Sequence, residues 1–244
     1  MSRLWLPAVV LMSAALVAGT AACGGSIAGS GSAAPTTTST TSAPAALQAG
    51  DVTAAITNAT AVHVKGTMDD SGSTITLDMQ INKGGTASGT IAIGGPTYPV
   101  IYVDKVVYIQ FTPDVIKSSG IDPSSAPGKL LTNKWVPSTS KIMAGSDLAT
   151  SVQALLDYTQ FTTEITKNIP TGPVKAGKSD TVDGVPVVQY TFSDGTPADI
   201  ATTSPHYLMR LLPGPKDGPG QMDFTGWSQP VPVQAPSAGE TFTG

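Results

Sequence analysis

Apolar and polar residues alternate along much of the first half of the chain, and this pattern predicts a β-sheet. Between residues 74 and 81 every odd position is apolar and every even position is polar. Strict alternation of this kind is typical of a strand with one face in the core and the other in solvent. Shorter runs cover 62–65, 86–93, 98–103 and 106–111, with Gly-rich turns at 84–85 and 94–96. Short strands at this spacing predict an antiparallel meander.

Helical spacing appears in two places. Asp51 is the predicted N-cap of a short helix, since apolar residues then recur three or four positions apart up to Ala59. A second helix is expected after Ser146, and shorter helical pieces at 114–118 and 197–202. Strands are predicted again at 174–178, 185–192, 207–212 and 221–227. We therefore expect an α+β fold, one large curved antiparallel sheet of eight or nine strands with two or three helices on one face.

The first 23 residues have the three parts of a secretory signal. Arg3 is followed by an apolar run over 5–17 and by small residues up to Cys23. The run is too short for a transmembrane span of about 20 residues. The last four positions, Thr20-Ala21-Ala22-Cys23, resemble the lipobox of bacterial lipoproteins, although Thr20 stands where that motif commonly has Leu. The resemblance implies cleavage after residue 22 and a lipid on Cys23. The alternative is an ordinary signal with an incidental cysteine.

A low-complexity segment follows the cysteine. Residues 24–50 are nearly all Gly, Ser, Ala, Thr and Pro and carry no charge, so they cannot offset their own ordering entropy. Residues 23–50 are therefore predicted to form a lipidated, disordered tether, either an unmodified spacer or an O-glycosylated stalk. The folded domain is expected over 51–236 and a disordered tail over 237–244.

Composition removes several classes of function. The net charge is −4 and charged residues make up 12% of the chain, so nucleic acid is not an expected partner. Only two histidines are present, His63 and His206, and neither has the spacing of a metal ligand. No nucleophile elbow and no phosphate-binding loop occurs in the sequence. We therefore expect no enzyme, no metal and no cofactor.

Several segments, taken in order, resemble one family. The helix and strand of 54–65 are similar to its opening, and Val106-Val107-Tyr108-Ile109 with Lys134-Trp135-Val136 is similar to a later pair of segments. The hairpin at 182–188 and the closing segments at 206–210 and 223–233 complete the resemblance. The chain therefore resembles the actinobacterial LppX/LprG-type lipoproteins, which are related in fold to the periplasmic carrier LolA. The Pro/Gly-rich loop at 213–220 departs from that pattern.

The resemblance implies a half-barrel sheet whose concave face, covered by helices, holds the acyl chains of a lipid or lipoglycan. The candidate lining is apolar and comes from two strands and one helix: Ile75, Leu77, Met79, Ile91, Ile93, Val152, Leu155 and Leu156. The expected function is to bind these chains and carry the lipid through the cell envelope. The protein would be a monomer on the extracytoplasmic face of the cell membrane, anchored through Cys23, with a membrane transporter as a further candidate partner.

One alternative to this interpretation stays open at this point. The same eight residues would equally form a closed core, because any half-buried sheet packs apolar side chains against its helices. In that case the expected function is that of a surface adaptor which binds another envelope protein through the loop at 213–220 and the proline-rich segment at 230–236.

Overall fold

The computed structural model describes residues 47–70, 73–143, 147–167, 169, 175–192, 195–214 and 218–244. The helices in these ranges are α1 (Ala49–Asn58), α2 (Pro113–Ser118), α3 (Ala126–Leu131), α4 (Asp147–Leu156) and α5 (Tyr158–Lys167). The first six strands are β1 (Ala61–Asp70), β2 (Ser73–Asn82), β3 (Thr86–Ile93), β4 (Thr97–Val103), β5 (Val106–Phe111) and β6 (Lys134–Pro137). The others are β7 (Lys175–Val182), β8 (Val185–Thr191), β9 (Pro197–Ala201), β10 (Leu208–Leu211) and β11 (Gly220–Thr225).

All eleven of these strands form one open sheet. Its order is β6-β5-β4-β3-β2-β1-β11-β10-β9-β8-β7, and every neighbouring pair is antiparallel. The strands β6 and β7 are the two edges, so the sheet is not closed into a barrel. The predicted α+β class with a single large antiparallel sheet is confirmed, and the described part of the chain has more strands and helices than predicted.

Antiparallel pairing gives the sheet two distinct ends. The upper end, as we name it, holds the connection from β1 to β2, the β3–β4 turn at 94–96, the helical connection from β5 to β6, and the β10–β11 connection. The lower end holds the β2–β3, β4–β5 and β7–β8 turns and the 202–207 segment. Residues from distant parts of the chain therefore lie close together at each end of the sheet.

One face of the sheet, the inner face, carries the core. Side chains at alternate positions of β2 line up in register with those of its neighbours, so that Leu77 lies between Gly66 and Ile91. The helices α4 and α5 contact each other, and α4 contacts β3 and β5. The ring of Phe161 in α5 lies 6.5 Å from that of Phe224 in β11. The alternating apolar residues of the strands therefore form one core layer, which helices cover.

Two glycines on this face permit close approach of neighbouring strands. A Cβ atom on Gly66 would overlap the backbone of Gln221 in β11, and one on Gly89 would overlap the Asp78 carbonyl in β2. Gly89 also has a φ of 152°, which residues with a side chain rarely adopt. Glycines inside strands are typical of places where a sheet bends sharply. The close approach of these strands is thus encoded where side chains are missing.

The N-terminal helix begins earlier than predicted. Its N-cap is Gln48, and Asp51 instead occupies the third helical position, where its carboxylate accepts a 3.3 Å bond from the Gln48 backbone N–H. A carboxylate in the first turn also interacts favourably with the helix dipole. The predicted turn at 114–118 is confirmed as α2, which Thr112 caps. Ser146, the predicted cap of α4, lies outside the described residues.

Two other segments differ from the sequence predictions. Residues 197–201 form the strand β9 and not a helix, because this segment pairs with β8 and β10 on both sides. Residues 237–244, predicted as a disordered tail, run beside the edge strand β6. There the Trp135 N–H donates to the Glu240 carbonyl at 2.9 Å, and the Phe242 N–H donates to the Trp135 carbonyl at 2.9 Å. Backbone groups left open by an edge strand are thereby satisfied.

Candidate functional site

The strand residues predicted to line a cavity do lie together on the inner face. Ile75 is paired with Ile93, and Leu77 is paired with Ile91, across β2 and β3. Met79 follows on the same face of β2, opposite Gly89. In α4, Val152 and Leu156 are fully buried in the same apolar cluster, whereas Leu155 is half-buried. The sheet and the helix therefore bring most of the predicted set into one cluster.

Burial along β3 is complete at the lower end and in the middle of the strand and falls at the upper end. At the lower end Ile81 and Ala87, a cross-strand pair, are 2% and 0% exposed. In the middle Ile91 is 1% exposed, and at the upper end Ile93 is 41% exposed. The inner face is thus sealed by the protein's own side chains at its lower end and reaches solvent at its upper end.

The upper end carries more apolar side chains than the sequence analysis singled out. The apolar rim, as we name it, is the set of inner-face strand residues at this end that are only partly buried: Met68, Ile75, Ile93, Tyr98 and Leu211. Pairing places Met68 beside Ile75 and Ile75 beside Ile93, and it places Tyr98 beside Ile91. Met68, Tyr98 and Leu211 were not predicted. Alternation within β1, β4 and β10 could have identified them, but only the strand pairing shows that they lie at the same end of the sheet. The rim is an apolar surface continuous with the core.

A concave feature lies away from the apolar rim. A cavity of about 300 Å³ opens between α1 and the 202–207 segment at the lower end; it is lined by Asp51, Ala54, Ala55, Asn58, Ser204, Pro205, His206 and Tyr207. His206 lies in that segment before β10, and its Nδ1 is 2.9 Å from the Ala201 carbonyl. The Tyr207 ring stacks on Trp227 at 5.1 Å. None of the eight predicted lining residues contributes to this cavity.

The outer face of the sheet is polar. The His63 Nε2 lies 2.7 Å from the Asp78 Oδ1, and the Lys65 ammonium lies 2.9 Å from the Asp78 Oδ2. The hydrogen bond from Lys65, with smaller effects from His63, lowers the pKa of Asp78, against the opposing effect of burial. The His63 imidazole in β1 thus shares the Asp78 carboxylate in β2 with Lys65, as a cross-strand contact. Within the described residues no cluster of His, Cys, Asp and Glu could hold a metal ion.

A second charged group on the outer face is more deeply buried. Asp199 in β9 has only 3% of its side chain exposed, and Arg210 in β10 faces it at 3.7 Å while bonding Asp223 at 2.7 Å. Burial raises the pKa of Asp199, and the attraction of Arg210 opposes that rise. The three side chains sit on adjacent strands β9, β10 and β11. We assign them a role in fixing strand register.

The predicted lipidation site, Cys23, lies outside the described residues, as do the leader and all but the last residues of the tether. Among the residues that are described, no helix is both long and apolar enough to cross a membrane.

Solved structures with a similar fold are known. The chain resembles the crystal structure of LprF from Mycobacterium bovis with a TM-score of 0.50 and 14% identity, over 78% of this chain and 95% of that chain. The crystal structure of the lipoprotein LppX from Mycobacterium tuberculosis matches with a TM-score of 0.41 and 17% identity, over 75% of this chain and 94% of that chain. No model of a known protein family matches the chain, and no curated protein does either. The likeness to LprF confirms the predicted fold.

Proposed function

We propose that this chain is a non-enzymatic envelope lipoprotein, anchored through Cys23, that binds the acyl chains of a lipid or lipoglycan on the inner face of its sheet and carries the lipid through the envelope. The observation that supports the proposal best is the exposure gradient along that face. Ile91 is sealed while its neighbour Ile93, two residues further along β3, is 41% exposed. An apolar face that is continuous with the core yet reaches solvent at one end offers a hydrocarbon chain a place to bind.

The physical gain comes from the partly exposed apolar rim. Each methylene removed from water contributes about 0.8 kcal/mol, so an acyl chain laid against Met68, Ile75 and Ile93 would gain from its own burial and from theirs. Deeper insertion would require α4, which contacts β3 and β5, to move from the sheet, because its Val152 and Leu156 are buried in the apolar core. Leu155, on the same helix, is half-buried. In this proposal the guest itself widens the site between α4 and the sheet.

A pair of substitutions at matched exposed positions tests this proposal. Ile93→Asp places a charge on the apolar rim, whereas Val231→Asp places one on a side chain that is 49% exposed near the lower end, where Asn82 holds its backbone. Native mass spectrometry after mild purification should show a co-purified amphiphile on the unmodified chain and on the Val231 variant. At least tenfold less should be bound to the Ile93 variant. Equal loading of both variants, or an amphiphile on none of the three chains, contradicts the proposal.

A second variant examines the position of Leu155, on the helix α4 that covers the sheet. Leu155→Trp fills the space beside α4, and we expect it to reduce lipid capture while lowering stability by no more than about 1–3 kcal/mol, as for overpacked sites. Its control is Val231→Trp near the lower end, where the native side chain is 49% exposed. Loss of stability without loss of capture would indicate a solid core at this position.

A surface adaptor is the second candidate function, and the sealed lower end of the inner face favours it. The proline-rich segment at 230–236 is exposed except at residues 233 and 236. The start of this segment is held in place, because the Asn82 side chain donates a hydrogen bond to the Val231 carbonyl at 2.8 Å. Exposed proline-rich segments are a common mode of peptide recognition. Photo-crosslinking from position 234 in living cells would favour an adaptor if one protein partner is captured equally by the Leu155→Trp variant.

A further inference from the structure

A leucine stands out on the surface at the upper end of the sheet. Leu130 is 67% exposed, whereas its neighbours Gly128 and Leu131 in α3 are buried. Four large apolar side chains are strongly exposed among the described residues: Ile93, Leu130, Ile142 and Val231. Isolated exposed apolar residues are normal, so exposure alone assigns no role to Leu130.

The segment that carries Leu130 is firmly built. Ser125 caps α3 by accepting the Gly128 N–H at 3.2 Å, and the Thr132 hydroxyl donates to the Gly128 carbonyl at 2.8 Å. A Cβ atom on Gly128 would overlap the backbone of Asp122 and Pro123, so the turn before the helix packs closely against it. Leu130 is therefore displayed from a fixed element, and burying it against a partner costs little ordering entropy beyond its own rotamers.

The position of this element in the topology supplies the second observation. The helices α2 and α3 connect the upper end of β5 to the upper end of β6, and the Asn133 N–H donates to the Phe111 carbonyl at 2.8 Å where the connection rejoins the sheet. Ile93 ends β3 at the same end. Leu130 and the apolar rim are thus presented by the same end of the sheet, two and three strands apart.

From this placement we infer that the upper end of the domain docks on the surface of a lipid bilayer, with Leu130 and Ile93 contacting its apolar region. The inference rests on the proposed function, because docking at this end would place the rim where an acyl chain leaves the bilayer. The chain between Cys23 and Leu47 argues for a bilayer as the partner. Its 23 residues can reach no further than about 80 Å, so an anchor on Cys23 would keep the domain close to the membrane at high effective concentration.

The charges nearby indicate what kind of contact to expect. The exposed residues of the same connection include Lys117 and Lys129 but also Asp114 and Asp122, so the segment has no net charge from these four. Apolar burial and not attraction to anionic lipid should therefore drive docking, with little dependence on salt. A neutral bilayer is the appropriate test surface.

The experiment uses the complete lipoprotein reconstituted through its own anchor into phosphatidylcholine vesicles. A polarity-sensitive fluorophore is attached to Lys129→Cys at the upper end or, as the control, to Val231→Cys at the lower end, and peptide mapping verifies the labelled thiol. We expect a blue shift and quenching by spin-labelled lipid at position 129 and not at position 231. Adding Leu130→Asp to the first variant should abolish both signals, while Ile142→Asp should leave them unchanged.

The outcomes separate docking from lipid binding. Equal signals at positions 129 and 231, or a signal that survives Leu130→Asp, overturns docking at this end, whether or not an amphiphile co-purifies with the chain. Quenching at position 129 in a protein that never carries an amphiphile supports docking and refutes the proposed lipid carriage. Near-UV circular dichroism of the Leu130→Asp variant should match that of the unmodified chain, so loss of docking is not loss of the fold.

Discussion

The Tyr158 hydroxyl donates a hydrogen bond of 3.0 Å to the Ile56 carbonyl, and this buried bond joins α5 to the last turn of α1. Carbonyls in the last turn of a helix lack partners within the helix, so the tyrosine satisfies a group that would otherwise be left unpaired. Burial raises the pKa of Tyr158 to about 12. One side chain thus couples the first helix of the domain to the helix that covers the sheet.

Tyr158→Phe should lower the free energy of unfolding by about 1–3 kcal/mol, the usual cost of leaving a buried acceptor unsatisfied. The tyrosine also predicts a pH dependence. Its pKa is higher in the folded chain than the ordinary value of 10, so the folded state holds the proton more tightly, and the stability it contributes is full below pH 10 and is lost as the pH rises through 12. Urea unfolding between pH 9 and 12 should show this loss in the native chain and a shallower one in the variant. Identical pH slopes would contradict the assignment.

The sequence predicted the elements whose burial follows a simple period. β2 was recognisable because one of its faces is buried and the other is wet. β9 was mistaken for a helix because Ala198 to Ala201 are buried on both faces, which removes the alternation. The helix α5 was missed because its buried face includes Thr162, whose hydroxyl is satisfied by the Tyr158 carbonyl at 2.7 Å. A polar residue at a buried position interrupts the apolar spacing by which a helix is recognised in the sequence.

The candidate site was predictable as a set of apolar positions but not as a place with an opening. Ile75 and Ile93 were named from alternation, and their pairing is a consequence of strand register. Their partial exposure depends on which end of the sheet they share with Met68, Tyr98 and Leu211. That depends on long-range pairing such as β1 with β11, which joins residues about 160 positions apart and leaves no local pattern.

Replacing Arg210 should destabilise the fold strongly. Arg210→Met leaves Asp199 buried without its cation and Asp223 without its closest partner, and removing one member of a buried charged group typically costs about 3–5 kcal/mol. The matched control is Lys167→Met, which breaks an exposed pair with Glu164 in α5 and should cost less than about 1 kcal/mol. Chemical denaturation measures both. Similar losses of stability in the two variants would show that the group of Asp199, Arg210 and Asp223 stabilises the fold no more than an exposed ion pair does.

Gly89 offers a test of how closely β2 and β3 approach each other. Gly89→Ala should lower stability by about 1–3 kcal/mol or more, because the added Cβ would overlap the Asp78 carbonyl and the backbone of Met79. Gly84→Ala in the β2–β3 turn is the control, since a Cβ there has no atom within 4 Å, and its effect should stay within about 0.5 kcal/mol. Thermal unfolding compares the two. A neutral Gly89→Ala would mean that the strands separate at no cost and that the close approach at this glycine does not stabilise the fold.

Removing residues 237–244 should expose the edge of the sheet at β6. The deletion takes away the Glu240 carbonyl that accepts the Trp135 N–H and the Phe242 N–H that donates to the Trp135 carbonyl, together with the bond from the Lys134 ammonium to the Gly239 carbonyl at 2.6 Å. A net loss of about 1 kcal/mol for the amide bond corresponds to about fivefold faster hydrogen exchange at Trp135. The Val136 residue pairs with Ile109 in β5 on the other side, so its amide should keep its protection and serves as the internal control. Because an open edge invites pairing with other chains, the truncated protein should also self-associate at concentrations where the complete chain does not, as measured by light scattering. Unchanged exchange at Trp135 would mean that the tail is not held against β6 in solution.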